Sequence, residues 1–226
     1  MDNIVGAKSK TNVKTLAVMA MLCAIAYVLL VVARVPVAFL TYEPKDAIIT
    51  IGGFMLGPLA AAAMSIVIAF MEMITVSDSG LIGMIMNALA ACSFSCTAAF
   101  IYTRKRSMKG AVIGLSAGVI AMTALMLLWN YLITPFYLGG DITEARQKVV
   151  SMMVTLLLPF NFLKAVGNMA IVMLLYKPVV TAVRKAGLLP PSKSGKDAKL
   201  DPFFILAAVV LLITCILLFL VLKGVI

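Results

Sequence analysis

Residues 149–176 read VVSMMVTLLLPFNFLKAVGNMAIVMLLY, and Lys164 is the only charged residue among them. A membrane-spanning helix needs ~20 consecutive apolar residues, and this stretch exceeds that length. Working outward, comparable apolar runs recur along the chain, which is 226 residues long, 63% hydrophobic and 12% charged. That composition belongs to an integral membrane protein and not to a soluble domain with a large core. The fold class expected is all-α, because a helix satisfies every backbone polar group within its own segment in lipid.

Helices are expected at residues 14–33, 45–57, 58–76, 80–103, 110–136 and 159–183. A further hydrophobic helix falls within residues 202–226. The membrane domain is therefore residues 1–185, followed by a polar, proline-containing linker at 186–201. Gly57-Pro58 alone separates the second and third helices, which reads as a tight hairpin with proline at a helix start. The second helix is short for a full span and suggests a tilted or partly re-entrant element lining a cavity. Pro159 removes a backbone donor, so a new helix is expected to begin there, leaving 142–158 as an outer-surface helix or lid.

The net charge is +10, but the basic residues sit between the apolar runs. Lys8, Lys10 and Lys14 precede the first span, and Arg104, Lys105, Arg106 and Lys109 fall between two others. Arg184, Lys185, Lys193, Lys196 and Lys199 follow a later one. This distribution follows the positive-inside rule and places the N-terminus in the cytoplasm, with lipid headgroups and no nucleic acid as the electrostatic partner. The first run has no small-residue cleavage site after it and is expected to stay as a span.

Enzyme chemistry has little to work with. There is no histidine, and only nine aspartates and glutamates occur. The four cysteines, Cys23, Cys92, Cys96 and Cys215, all lie in apolar runs and read as buried structural thiols. No catalytic residue, metal site or cofactor is expected. A lipid-modifying membrane enzyme would need clustered acids for metal or acid–base work.

The unusual residues are polar ones inside the spans. An ionisable group in such a run costs at least about 2.5 kcal/mol to insert, which makes Lys164 a functional candidate by default. Depth arithmetic relates it to the others. With the fifth helix starting near Gly110, Asn130 lies about 30 Å along the axis, close to the outer face. Asn161 and Lys164 fall in the first turns of a helix starting at Pro159 and share a face. Glu72 and Asn87 lie in the outer halves of the third and fourth helices, and Glu43, Lys45 and Asp46 flank the start of the second. Polar groups from separate helices at one depth imply an outward-opening pocket with apolar walls. Lys164 pairing with Glu72, Asn130 bonding a helix backbone and Asn161 capping a helix are the competing structural roles. In the first helix, Ala17, Ala20 and Ala24 form a small-residue face suited to close helix contact.

Four segments carry a resemblance: LTYEPKDAIITIGGFMLGP (40–58), SGLIGMIMNALA (79–90), WNYLITPFY (129–137) and LPFNFLKAVGN (158–168). Together they resemble the S-components of energy-coupling factor (ECF) vitamin transporters, most closely the riboflavin-specific ones. The resemblance covers residues 12–185 and implies a six-helix bundle that binds one vitamin near the outer face. It implies partners too: a transmembrane coupling subunit and two cytoplasmic ATPases, in the bacterial plasma membrane. On this analogy Leu40, Thr41 and Tyr42 belong to a loop covering riboflavin. Asn87, Asn130, Asn161 and Lys164 would bind the ligand, with Gly80 permitting close approach. Ala17, Ala20 and Ala24 would face the coupling subunit. The run at 202–226 departs from the six-helix pattern. An S-component for another vitamin or a purine-like compound is the nearest alternative.

Overall fold

The computed structural model describes residues 13–77, 79–138, 141–189 and 202–224. The order is α1 (Val13–Val32), β1 (Val35–Val37), β2 (Leu40–Tyr42), α2 (Lys45–Leu56), α3 (Pro58–Thr75), α4 (Gly80–Arg104) and α5 (Met108–Leu132). A short α6 (Thr134–Leu138) precedes α7 (Ile142–Met152), a π-helical turn (Met153–Leu157), α8 (Leu158–Lys185) and α9 (Pro202–Leu222). Among the described residues, six helical elements are long and apolar enough to cross a membrane: α1, α3, α4, α5, the 142–185 rod and α9. The 186–201 linker lies largely outside the described residues.

The short α2 is the hub. Every residue from Lys45 to Phe54 is buried, because α1, α3, α4 and α8 pack around it. It was expected to line a cavity; instead it forms the centre of the core beneath one. Below α2, Phe54 stacks on Tyr102 with ring centroids 4.3 Å apart, and the Tyr102 and Tyr176 hydroxyls lie 2.7 Å apart. This aromatic group fills the end of the bundle nearer the Arg104–Lys109 loop.

Two boundaries differ from the sequence expectation, each because of a proline. Helix α5 stops at Leu132, since Pro135 has no N–H to continue the ladder, and the chain restarts as α6. The helix at Pro159 is not a fresh start. The π turn just before it joins α7 to α8 in one rod, because a wider turn accommodates the missing donor without breaking the helix. Asp141 caps α7, its Oδ2 accepting from the Glu144 amide at 3.2 Å.

Helices α4 and α5 approach closely through a signal absent from the sequence reading: Gly110, Gly114 and Gly118 at four-residue spacing. A Cβ at Gly114 would lie 2.7 Å from the Ala98 carbonyl oxygen, and one at Gly118 would lie 2.7 Å from that of Phe94. Backbone atoms of a packed helix cannot move aside cheaply. Gly118→Val is therefore expected to cost about 1–3 kcal/mol by overpacking, outweighing any gain in helix propensity. A thermal midpoint equal to wild type in detergent would refute this packing account.

Candidate ligand-binding site

Residues 35–42 form a tiny antiparallel hairpin in which Val35 pairs with Tyr42 and Val37 with Leu40. Its turn strains Ala38 to a φ of +53°, a region a residue with a Cβ rarely adopts. The hairpin covers a cavity of about 310 Å³ at the end of the bundle where α4 and α8 begin and α5 ends. Small-molecule sites span about 300–1,000 Å³. Phe39, Leu40 and Thr41 line it from the hairpin, Met86 and Asn87 from α4, and Met126, Trp129 and Asn130 from α5. Phe160, Asn161 and Lys164 complete it from α8.

The two buried asparagines are oriented by their own helices. Asn130 Nδ2 donates to the Met126 carbonyl at 2.7 Å, and its Oδ1 accepts from Thr134 at 3.0 Å. Asn161 Nδ2 donates to the Leu157 carbonyl at 2.8 Å. It thus bonds back along the helix and does not cap it. The Asn161 amide oxygen accepts no hydrogen bond among the described residues, and each amide retains a second N–H. Fixed amides with spare capacity, in an apolar-walled cavity, are the arrangement that orients a ligand.

Beside the amides runs a buried chain of charges. Glu43 lies within 3.5 Å of Arg34, 2.5 Å of Lys45 and 3.8 Å of Lys164. Burial acts to raise the Glu43 pKa, but the charges of Lys45, Lys164 and Arg34 hold it below the usual carboxylate range. Lys45 also pairs with Glu72, whose other oxygen accepts from Asn87 Nδ2 at 2.7 Å. Lys45, Glu43 and Glu72 are at most 2% exposed. Lys45, and not Lys164, is thus the partner of Glu72. Lys164 instead donates to the Thr41 carbonyl at 3.2 Å, which ties α8 to the hairpin. Asn168 secures the next turn, accepting from the Ala47 amide at 3.0 Å and donating to the Lys164 carbonyl at 2.9 Å. Both side-chain oxygens of Asp46 are buried without a hydrogen-bond partner among the described residues.

The profile of the family described as "ECF transporter, substrate-specific component" matches residues 14–176. The chain belongs to this family of S-components. It is 30% identical to the riboflavin transporter FmnP of Bacillus subtilis (strain 168), over 77% of this chain and 98% of that protein. It is 29% identical to the riboflavin transporter RibU of Staphylococcus aureus (strain TCH60), over 76% of this chain and 93% of that one. A solved structure, of the S component of a bacterial ECF transporter, superposes with a TM-score of 0.62 at 30% identity, covering 76% of this chain and 98% of that chain. The protein is accordingly a multi-pass membrane transporter component and not an enzyme.

In this S-component six of the eight expected ligand residues line the cavity: Leu40, Thr41, Asn87, Asn130, Asn161 and Lys164. Tyr42 does not. Alternation sets Tyr42 on the strand face opposite Thr41, and its ring packs against Phe219 with the ring centroids 4.7 Å apart. Its hydroxyl acidity falls because burial, then the nearby Cys215 and Asp46, raise its pKa. Gly80 is also outside the lining. It is exposed, with a φ of +57°, a turn conformation that favours glycine. Arg34, Phe39 and Thr134 line the cavity without having been singled out from sequence; the hairpin that brings Arg34 and Phe39 in has no strong strand signal. Ala17, Ala20 and Ala24 are exposed on α1, opposite its buried stripe Val18, Leu22, Ala26 and Leu30.

Proposed function

We propose that this S-component captures riboflavin at the outer face of the bacterial plasma membrane for ATP-driven uptake. The observation that carries the reading is the convergence of Asn130, Asn161 and Lys164 on one cavity between Trp129 and Phe160. Riboflavin is uncharged at neutral pH, planar, and rich in hydrogen-bonding edges. Aromatic and methionine walls suit the ring, and the amide and ammonium groups suit its polar edge and ribityl chain. A ligand that left those buried donors unpaired would be rejected strongly. The names of the two relatives above point the same way.

The orientation follows from charge. Lys14, Arg104, Lys105, Arg106, Lys109, Arg184 and Lys185 all lie at the end opposite the cavity, which favours a cytoplasmic N-terminus. The chain carries no G-x-x-x-x-G-K-[ST] phosphate loop, so ATP hydrolysis falls to partner ATPases acting through a coupling subunit. The exposed Ala17, Ala20 and Ala24 face is the docking surface proposed for that subunit.

The test uses the only tryptophan of the chain, Trp129, which lines the cavity. Protein purified in detergent from riboflavin-fed cells is expected to be yellow, and adding riboflavin to ligand-free protein is expected to quench both flavin and tryptophan fluorescence. A colourless protein whose Trp129 emission responds to another vitamin and not to riboflavin would redirect the assignment to that vitamin.

A further inference from the structure

Helix α9 lies beyond residue 176, where the family match ends. Its buried residues Ala208, Cys215 and Phe219 recur at spacings that place them on one face, while Leu206, Val210 and Leu217 are exposed. The buried face packs along α8. At its far end the Phe219 ring meets Phe160 edge-on at 5.8 Å and Tyr42 at 4.7 Å. Phe160 lines the ligand cavity, and Tyr42 ends the strand whose Leu40 and Thr41 line it. Tyr42 also packs on α8, where a Cβ on Gly167 would lie 3.0 Å from its hydroxyl. Cys215 and Phe219 join Val37, Leu40, Phe160 and Leu163 in a small apolar cluster separate from the main core.

A two-stranded hairpin with three-residue strands is marginal without packing support. The strained Ala38 turn makes this one less stable still. The aromatic contacts from α9 supply support from Phe219, which stands outside the cavity lining. We propose that Phe219 is a positioning residue: α9 clamps the hairpin over the cavity and thereby sets how slowly the bound ligand leaves. Phe219 acts through Tyr42 and Phe160 and does not touch the ligand.

This inference rests on the riboflavin reading, and its test separates the two. Dissociation of riboflavin from the full-length detergent-purified chain is followed by recovery of Trp129 fluorescence. Phe219→Ala is expected to speed release about tenfold, the rate equivalent of losing an aromatic contact pair, while association changes little. Phe219→Tyr keeps the ring and is expected to release at the wild-type rate, and the lipid-facing Leu217→Ala likewise. Should the alanine variant not accumulate, Phe219→Leu serves, with release faster by about threefold. In the Tyr42→Ala background, Phe219→Ala should add little, because the two rings act as one contact. Wild-type release from a folded Phe219→Ala or Phe219→Leu protein, or equal acceleration by Leu217→Ala, would overturn the proposal. Absence of any riboflavin response in the wild-type chain would instead overturn the function on which it rests.

Discussion

Replacing Lys45 by alanine is expected to lower the thermal midpoint of the detergent-solubilised protein by roughly 6–20 °C. The figure follows from a loss of about 3–5 kcal/mol when one partner of a buried ion cluster is removed, at roughly 2–4 °C per kcal/mol for a chain of this size. Lys45 is 2% exposed and pairs with both Glu43 and Glu72. Among the described residues, its removal leaves Glu72 with the Asn87 amide as its side-chain hydrogen-bond partner, a buried carboxylate with no direct ion pair. Glu43 retains Arg34 and Lys164. Adding Glu72→Gln to Lys45→Met should therefore recover much of the loss, since the uncompensated charge is gone. Scanning fluorimetry of the two variants against wild type is the check; a Lys45→Ala midpoint near wild type would mean that Glu72 is neutral in the folded protein.

Lys164 is expected to behave in the opposite way. Lys164→Met should weaken riboflavin binding roughly ten- to a hundredfold, the range implied by about 1.5–3 kcal/mol for a hydrogen bond to a charged group. Its effect on stability should be small. Glu43 keeps Lys45 at 2.5 Å and Arg34 at 3.5 Å, so that carboxylate is not orphaned. What disappears is the ammonium in the cavity wall and its tie to the Thr41 carbonyl. Titration of Trp129 quenching gives the affinity, and thermal melting of the ligand-free protein gives the stability. A variant that binds riboflavin like wild type, or one whose affinity loss is matched by an equal loss of fold stability, would remove Lys164 from the binding site.

The contrast between these two lysines shows what kind of information each level holds. Asn130, Asn161 and Lys164 could be brought to one depth by counting residues along helices, because the rise per residue is constant and the bilayer limits where helices start and stop. The same counting placed Glu72 and Asn87 near them. It could not say which lysine meets which glutamate. Lys45 and Lys164 stand at similar depth, and the choice depends on how α2 and α8 are rotated about their axes. That rotation is set by packing: α2 is buried on all sides, and Asn168 holds α8 to it through the Ala47 amide at 3.0 Å.

Glycines show the same division. The four-residue spacing of Gly110, Gly114 and Gly118 acquires its meaning only from the structure, where the carbonyls of Ala98 and Phe94 show which helix approaches. Gly80 was singled out beside the ligand residues and stands in a turn conformation outside the cavity lining. Tyr42 looked like part of the cover over the ligand and stands outside the cavity lining, packed on Phe219, a contact between distant segments that the local sequence does not carry.

By itself, then, the sequence determined an all-helical membrane protein, its approximate spans, the family it resembles, and the depth at which its polar residues gather. These follow from hydropathy and helix geometry, which act locally along the chain. Only the tertiary structure decided that Lys45 neutralises Glu72, that 142–185 is one rod through a π turn, and that α9 reaches the hairpin. Each of these depends on helix rotation and on contacts between distant segments, where side-chain packing and buried charge select one arrangement among many that the same apolar runs allow.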